Sequence, residues 1–233
     1  MEIEMNKTWT GLCRVAAAAL TMATAQQALA ADLGSEEAPA GFQAVAPSKS
    51  PWQIRVRALG VITQDSGSVS GIPGSDLSYS DTVIPELDIS YFFTDNIAAE
   101  LILGTTFAKV NGEGSISGLG EVGETWLLPP TLTLQYHFTN FGKFKPYIGA
   151  GVNYTIFYNQ SAESADKLHV KNSFGAALQA GFDYMLDDHW GVNLDVKKIF
   201  LEPDYDVTVA GNKLEGTADI NPWLIGAGLT YRF

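Results

Sequence analysis

The chain has 233 residues and a formal net charge of −12; 46% of its residues are hydrophobic and only 17% are charged. A chain this acidic is not expected to bind nucleic acid, because phosphates require a basic surface. No stretch after residue 30 stays apolar for eighteen residues, which argues against membrane-spanning helices. An apolar, glycine-rich chain of this kind is typical of a transmembrane β-barrel.

The first thirty residues predict a cleaved signal peptide. Lys7 and Arg14 supply positive charge, residues 15–25 form a short apolar core, and residues 28–30 read Ala-Leu-Ala, a typical cleavage site. The apolar core is too short to span a bilayer comfortably as an anchoring helix. Cys13 is the only cysteine, so the exported chain is expected to hold no disulfide and no thiol nucleophile.

Residues 31–51 are expected to form an N-terminal periplasmic lead, and residues 52–233 an eight-stranded antiparallel transmembrane β-barrel. Eight segments of about ten residues alternate apolar and polar side chains, as tilted membrane-crossing strands do. Their approximate ranges are 52–62, 85–93, 99–107, 128–138, 148–156, 176–184, 190–196 and 223–233.

The connections between these strands alternate in length. Residues 94–96, 139–143 and 187–189 are short polar turns, whereas 63–82, 109–124, 159–172 and 202–219 are long polar or glycine-rich loops. This alternation is typical of short periplasmic turns and long extracellular loops in an outer-membrane barrel. A soluble lipocalin-like barrel would instead turn its apolar face inward around a ligand. Here the apolar face ends in aromatic residues and is predicted to face lipid.

Several motifs, in order along the chain, resemble the OmpW family of small outer-membrane barrels. They are Thr94-Asp95-Asn96-Ile97, Leu128-Pro129-Pro130-Thr131-Leu132, Lys145 to Thr155, Gly175-Ala176-Ala177 with Gly181 to Tyr184, and Asp219 to Trp223. The resemblance covers roughly residues 52–233. It implies an eight-stranded barrel in the bacterial outer membrane, with a narrow hydrophobic channel for small apolar molecules. The ending Tyr231-Arg232-Phe233 also resembles the signal by which the barrel-assembly machinery recognises such proteins.

The positions of the inward-facing residues along the barrel axis predict that the periplasmic half of the lumen is charged. Neighbouring strands run in opposite directions, so the ionisable residues of all strands collect near the short turns. They are expected to form a paired plug, because a buried charge left alone costs several kcal/mol. The predicted plug contains Arg55, Arg57, Glu86, Asp88, Glu100, Asp183, Asp195, Lys197 and Arg232.

The outer half of the lumen is predicted to be an apolar funnel. Its expected lining is Leu59, Val61, Ile84, Ile102, Ala108 and Phe157. A hydrophobic solute that enters such a funnel cannot continue through a charged plug and would leave sideways into the bilayer. Pro129 and Pro130 lack backbone donors and mark one wall for a lateral gap, although a simple strand start explains them equally well.

The main alternative to passive uptake is a structural, adhesive or receptor barrel that acts through its acidic extracellular loops. No enzymatic activity is predicted, because the histidines at 137, 169 and 189 lie in different elements without a convergent nucleophile and base. No metal or cofactor is expected. The expected partners are outer-membrane lipids with lipopolysaccharide, small hydrophobic solutes and the barrel-assembly machinery.

Overall fold

A computed structural model describes residues 50–209 and 211–233. The predicted signal peptide, and all but the last two residues of the predicted lead, lie outside the described residues. Within those residues, no helix has the length and apolar character needed to cross a membrane.

The described residues form fifteen β-strands and one short 3₁₀ helix at Ser117–Leu119. The strands are β1 (Trp52–Ile62), β2 (Gly67–Val69), β3 (Ser75–Tyr79), β4 (Thr82–Phe92), β5 (Ile97–Gly104), β6 (Thr106–Gly114), β7 (Glu121–Leu128), β8 (Thr131–His137), β9 (Phe144–Ala162), β10 (Lys167–Val170), β11 (Ser173–Met185), β12 (Trp190–Phe200), β13 (Asp204–Val209), β14 (Asn212–Ala218) and β15 (Trp223–Arg232).

Eight of these strands close into a single antiparallel barrel. Their order around the wall is β1, β4, β5, β8, β9, β11, β12 and β15, and β15 pairs back onto β1. Ten consecutive residue pairs, from Gln53 opposite Arg232 to Ile62 opposite Trp223, join the first and last strands. The closure leaves neither the first nor the last strand with a free edge, and it confirms the predicted fold class.

Alternation along each strand separates a lipid-facing side from the lumen. On β1, Arg55 and Arg57 are buried whereas Val56 between them is 57% exposed. At the end with the short turns, here called the periplasmic end, outward aromatic rings form contacts around the wall. Trp52 packs edge-on against Tyr91 with ring centroids 5.0 Å apart, and Trp190 packs likewise against Tyr231 at 4.9 Å. Such girdles mark the membrane interface in outer-membrane barrels.

The short turns lie where the sequence predicts them, between β4 and β5, β8 and β9, and β11 and β12. In the last of these turns, the Asp187 carboxylate accepts hydrogen bonds from the backbone N–H groups of Trp190 and His189, at 2.7 and 2.8 Å. These two donors hold the pKa of Asp187 below its usual range. The turn is therefore fixed by an acidic cap rather than by glycine.

The long connections are more ordered than the predicted polar loops. They contain β2, β3, β10, β13 and β14, together with most of β6 and part of β7, and β9 continues into the same region. One four-stranded sheet runs in the order β10, β13, β14, β2, while β3, β6, β7 and upper β9 extend the barrel wall. The strands form because alternate residues share an apolar inner face. That face includes Val69, Leu77, Val110, Val122, Val170, Tyr205 and Val207.

Candidate functional site

The periplasmic half of the lumen is filled by a cluster of ionised side chains. The register of β1 against β4 places Arg55 opposite Asp88 and Arg57 opposite Glu86, so charges of opposite sign meet across the strand pair. We call the full cluster the charged plug, and each member is at most 3% exposed. It consists of Arg55, Arg57, Glu86, Asp88, Glu100, Asp183, Asp195 and Lys197.

Arg55 occupies the lower level of the plug. Its guanidinium binds Asp183 through two parallel hydrogen bonds, Nε to Oδ1 at 3.0 Å and Nη2 to Oδ2 at 2.7 Å. Its Nη1 donates to Glu100, and the Ser90 hydroxyl donates to the same Glu100 oxygen at 2.8 Å. The two-pronged geometry suits the planar guanidinium and fixes its orientation.

Arg57 and Lys197 occupy the upper level. Arg57 Nη2 lies 2.5 Å from Asp88 Oδ2, and Arg57 Nε donates to Glu86 Oε1 at 2.8 Å. The Lys197 ammonium lies 2.9 Å from both Glu86 Oε1 and Asp195 Oδ1. Lys197 therefore lies in the plug, where the sequence predicts it.

Neutral polar side chains complete the hydrogen bonding of the plug. The Tyr147 hydroxyl donates to Asp195 Oδ2 at 2.7 Å, and Gln179 Nε2 donates to Glu100 Oε1 at 3.0 Å. Tyr147 fits because Gly181 stands beside it: a Cβ there would lie 2.6 Å from the tyrosine hydroxyl oxygen. Sequence reasoning did not single out Tyr147, although it shares the inward parity of Asn153 on the same strand.

Arg232 is not brought into the plug. Its guanidinium lies 3.6 Å from the centre of the Phe92 ring, and its Nε donates to the Ser50 carbonyl at 3.4 Å. Arg232 is thus inward-facing, but it sits at the periplasmic rim below the charged network. Among the described residues, the ion pairs of the charged plug do not include Arg232, because the last position of a strand has no barrel wall beneath it to bury the charge.

Above the plug the lumen opens into an apolar cavity of about 180 Å³. All six residues of the predicted funnel line it: Leu59, Val61, Ile84, Ile102, Ala108 and Phe157. The cavity extends further outward than the sequence indicated, because the strands above the membrane add Val69, Leu77, Val122, Val207 and Leu214 to its wall.

Two tyrosines from the outer strands also line the cavity. The Tyr79 hydroxyl donates to the Ser66 carbonyl and the Tyr205 hydroxyl to the Ser68 carbonyl, each at 3.0 Å. Burial raises the pKa of Tyr205 to about 12. Both hydroxyls are therefore neutral and occupied, so the outer cavity presents an apolar surface.

The barrel wall beside the cavity is interrupted between β4 and β6. Pairing of β4 with β5 ends at Glu86 opposite Gly104. Backbone bonding resumes where the Ser80 N–H donates to the Lys109 carbonyl at 3.2 Å, next to the pair of Tyr79 on β3 and Val110 on β6. Within the described ranges, no backbone hydrogen bond joins residues 82–85 to residues 105–108. The interruption begins at Pro85, which has no backbone N–H to donate.

Side chains rather than backbone bridge this interruption. The hydroxyls of Thr82 and Thr106 lie 2.8 Å apart, and both residues line the cavity. Phe107 has the outward parity of its strand and packs on Trp126 at 5.4 Å, yet it also lines the cavity. Phe107 therefore contributes both to the cavity lining and to the outward aromatic contacts of the wall.

The wall at Pro129 and Pro130, where the sequence suggested a lateral gap, is more firmly held. These prolines separate β7 from β8, and Pro129 lines the cavity. Their carbonyls accept from Asn153 Nδ2 at 3.1 and 3.4 Å, and the Tyr154 N–H donates to the Pro130 carbonyl at 3.0 Å. The weaker wall lies between β4 and β6.

The OmpW family model matches residues 48–233. The uncharacterised outer-membrane protein y4mB of Sinorhizobium fredii strain NGR234 is 65% identical over 209 residues, covering 88% of this chain and 90% of that protein. Outer membrane protein W of Vibrio cholerae serotype O1 is 33% identical over 189 residues, covering 77% of this chain and 87% of that protein. The crystal structure of the outer-membrane protein OprG from Pseudomonas aeruginosa superposes with a TM-score of 0.73 at 27% identity, covering 81% of this chain and 98% of that one.

Proposed function

Because this chain belongs to the OmpW family of outer-membrane β-barrels, we propose that it lets small hydrophobic molecules pass passively into the outer membrane. The observation that carries this proposal is an apolar cavity that lies above the charged plug, beside a wall whose backbone pairing is interrupted between β4 and β6. The protein lies in the bacterial outer membrane, whose outward surface a hydrophobic solute must cross.

The cavity has the size and chemistry for such a solute. An apolar cavity of roughly 150 Å³ in another protein stays dry and binds benzene, and this one measures about 180 Å³. Burial of apolar surface contributes about 25 cal/mol per Å². An aromatic or short aliphatic molecule would therefore enter from water without any polar partner.

The route out is sideways rather than downward. The plug consists of paired charges. At that height the side chains fill the lumen, because an eight-stranded barrel is only wide enough to hold its own side chains. Moving an apolar solute through it would require separating buried ion pairs, which costs several kcal/mol for each charge left alone. The interruption between β4 and β6 offers an opening that breaks no backbone pairing.

Closing that opening tests the proposal. Thr82→Cys/Thr106→Cys would place two thiols where the native hydroxyl oxygens are 2.8 Å apart, so that oxidation can tie β4 to β6. The predicted processed chain has no other cysteine. We expect oxidised cells to take up 2-methylnaphthalene about tenfold more slowly than the same cells after reduction, because the bond bars the exit.

Two controls isolate the position of the bond. Each single cysteine variant should respond to neither oxidant nor reductant. Ser68→Cys/Thr217→Cys joins paired residues of β2 and β14, away from the interruption, and its oxidation should leave uptake unchanged. Equal uptake by the oxidised and reduced Thr82/Thr106 pair would rule out this exit. Uptake no faster than in cells without the barrel would rule out transport and favour a receptor role for the outer strands.

A further inference from the structure

We infer that the floor of the cavity is a subsite for a hydrogen-bond-donating polar end, so that the barrel favours apolar molecules bearing one hydroxyl or amine over fully apolar molecules and over carboxylates. This inference rests on the proposed function and narrows its substrate class. It follows from which hydrogen-bonding atoms of the floor are already occupied.

Five polar side chains lie where the apolar cavity meets the plug. Each of them lines the cavity, and none is more than 3% exposed. They are Glu86, Thr131, Asn153, Thr155 and Lys197. The other polar side chains of the lining carry only hydroxyl groups: Thr63, Tyr79, Ser80, Thr82, Thr106, Thr125 and Tyr205. The floor is thus the part of the lining where charged and amide groups meet the cavity, and where a polar group of a bound solute would find its strongest partners.

The neutral members of the floor have already committed their hydrogens. Thr155 donates to Asn153 Oδ1 at 2.7 Å, and Thr131 donates to the Pro129 carbonyl at 3.1 Å. The Asn153 amide donates to Thr131 Oγ1 at 2.8 Å and to the Pro129 carbonyl. A hydroxyl oxygen keeps lone pairs after its hydrogen is used, so Thr155 offers the cavity an acceptor but no donor.

Glu86 adds a charged acceptor. Its oxygen Oε1 accepts from Arg57 Nε at 2.8 Å and from Lys197 Nζ at 2.9 Å. A carboxylate can accept through both oxygens, and Glu86 itself lines the cavity. The Lys197 ammonium directs two of its three hydrogens at Glu86 and Asp195, each at 2.9 Å. The third hydrogen stays beside the acceptors of Glu86 and Thr155, so a solute hydroxyl, which both donates and accepts, fits the floor best.

The charge of the plug points in the same direction. Five carboxyl groups face three cations across its buried contacts, so an excess of negative charge lies directly under the floor even with one of these carboxyl groups protonated. A second anion in this low-dielectric space is repelled, whereas a neutral donor or an ammonium is attracted. A solute carboxylate is therefore disfavoured although Lys197 lies at the floor.

Three solutes of similar size test this preference: 2-naphthol, which donates a hydrogen bond; 2-methylnaphthalene, which does not; and 2-naphthoate, which is anionic. Their fluorescence lets uptake be followed in cells with and without the barrel. The barrel should accelerate 2-naphthol uptake between about twofold and tenfold more than 2-methylnaphthalene uptake, the range that one net hydrogen bond supplies. It should not accelerate uptake of 2-naphthoate.

A matched pair of variants locates the effect. Thr155→Val removes the acceptor at the floor with little change of shape, and should abolish the advantage of 2-naphthol while 2-methylnaphthalene uptake persists. Thr133→Val removes a fully buried hydroxyl that bonds Gln179 at 3.1 Å and does not line the cavity. It should keep the advantage. If Thr155→Val fails to insert, Thr131→Val serves in its place.

Binding by the wild-type protein gives an independent readout. With ¹³C-methyl-labelled threonine in lipid nanodiscs, 2-naphthol should shift the Thr155 methyl resonance several times more than 2-methylnaphthalene does. Equal shifts, or an uptake advantage that survives Thr155→Val, would overturn the subsite while leaving hydrophobic transport intact. Failure of the barrel to accelerate either neutral solute would instead overturn the transport on which the subsite depends.

Discussion

The two halves of the lumen are built from the same eight strands, but their inward-facing side chains differ in charge and in how far they fill the space. In the periplasmic half, Arg55, Arg57 and Lys197 meet five carboxylates, and the space is filled. In the outer half, Leu59 and Ile102 surround an apolar cavity instead. The inward-facing parity of a residue is therefore not enough to assign its role. Its height along the strand decides whether it stabilises the barrel or shapes the path of a solute.

The wall shows the same division. Around the plug, β4 pairs with β1 on one side and with β5 on the other without a break. Beside the cavity, the pairing of β4 toward β6 is lost from Pro85 outward. The half that carries the dense ion-pair network is thus also the half with a complete backbone ladder. We expect substitutions there to change stability, and substitutions in the outer half to change passage.

The largest expected effect comes from Arg57→Ala, because it leaves Glu86 and Asp88 buried with fewer cationic partners. Removing one partner of a buried pair typically costs about 3–5 kcal/mol. We expect a loss of this size in the free energy of unfolding, measured by urea titration of the barrel in lipid vesicles. Uptake of 2-methylnaphthalene per folded barrel should change little.

The matched comparison for Arg57 is Lys213→Ala, which also removes a cation. Lys213 is 62% exposed and lies 3.5 Å from both Asp206 and Glu215, so its removal should cost less than about 1 kcal/mol. A loss from Arg57→Ala no larger than this would show that the plug is not the stabilising half. A large rise in hydrophobic uptake would show that solutes pass straight through it.

A smaller effect on stability but a clear effect on passage is expected from Leu59→Asp. Leu59 is 3% exposed and lines the cavity, so a carboxylate there would draw in water and penalise apolar contacts. Uptake of 2-methylnaphthalene by inserted barrels should fall by about tenfold or more, since burying a charge costs more than 1.4 kcal/mol. Leu59→Met conserves volume and polarity and should retain most of the uptake. If Leu59→Asp transports as well as Leu59→Met does, the cavity is not the route.

The sequence predicted the barrel well because its signals are local. Alternation needs only neighbouring residues, and short turns such as residues 187–189 carry their own polar composition. The common height of the inward charges follows from strand direction and parity, but which carboxylate pairs with Arg55 depends on the register and on distant strands, since its partners Asp183 and Glu100 lie on β11 and β5. Arg232 was misassigned because parity does not show where the wall ends.

The remaining features depend on contacts between distant segments. The strands β3 and β13 were taken for loops because they are only five and six residues long, too short to cross a membrane, and the apolar residues Leu77 and Val207 have polar residues on both sides. The interruption beside Pro85 lies between two strand pairs: β4 pairs with β5 below it, and β3 pairs with β6 above it. A proline shows that one donor is missing, but it cannot show which neighbouring strand is left unpaired.

The smallest effect on the folded barrel is expected from Phe233→Asp, which touches neither half of the lumen. Phe233 is 49% exposed, and its ring packs edge-on against Tyr231 with centroids 5.0 Å apart. Phe93 is nearly its equivalent on another strand: it is 48% exposed and packs against Tyr91 at 5.3 Å. Loss of one such aromatic pair should cost about 1 kcal/mol at either site.

The two variants should nevertheless differ in assembly. If the terminal aromatic residue is the signal read by the barrel-assembly machinery, Phe233→Asp will lower the yield of heat-modifiable barrel in outer membranes more than Phe93→Asp does. Refolding of the purified chains into lipid vesicles, where no machinery is present, should be alike for both. Equal yields in cells would mean that Phe233 is only one more girdle residue. A defect of Phe233→Asp that appears equally in vesicles would place its role in the folded wall, and would extend the stabilising periplasmic half from the lumen to the lipid-facing rim.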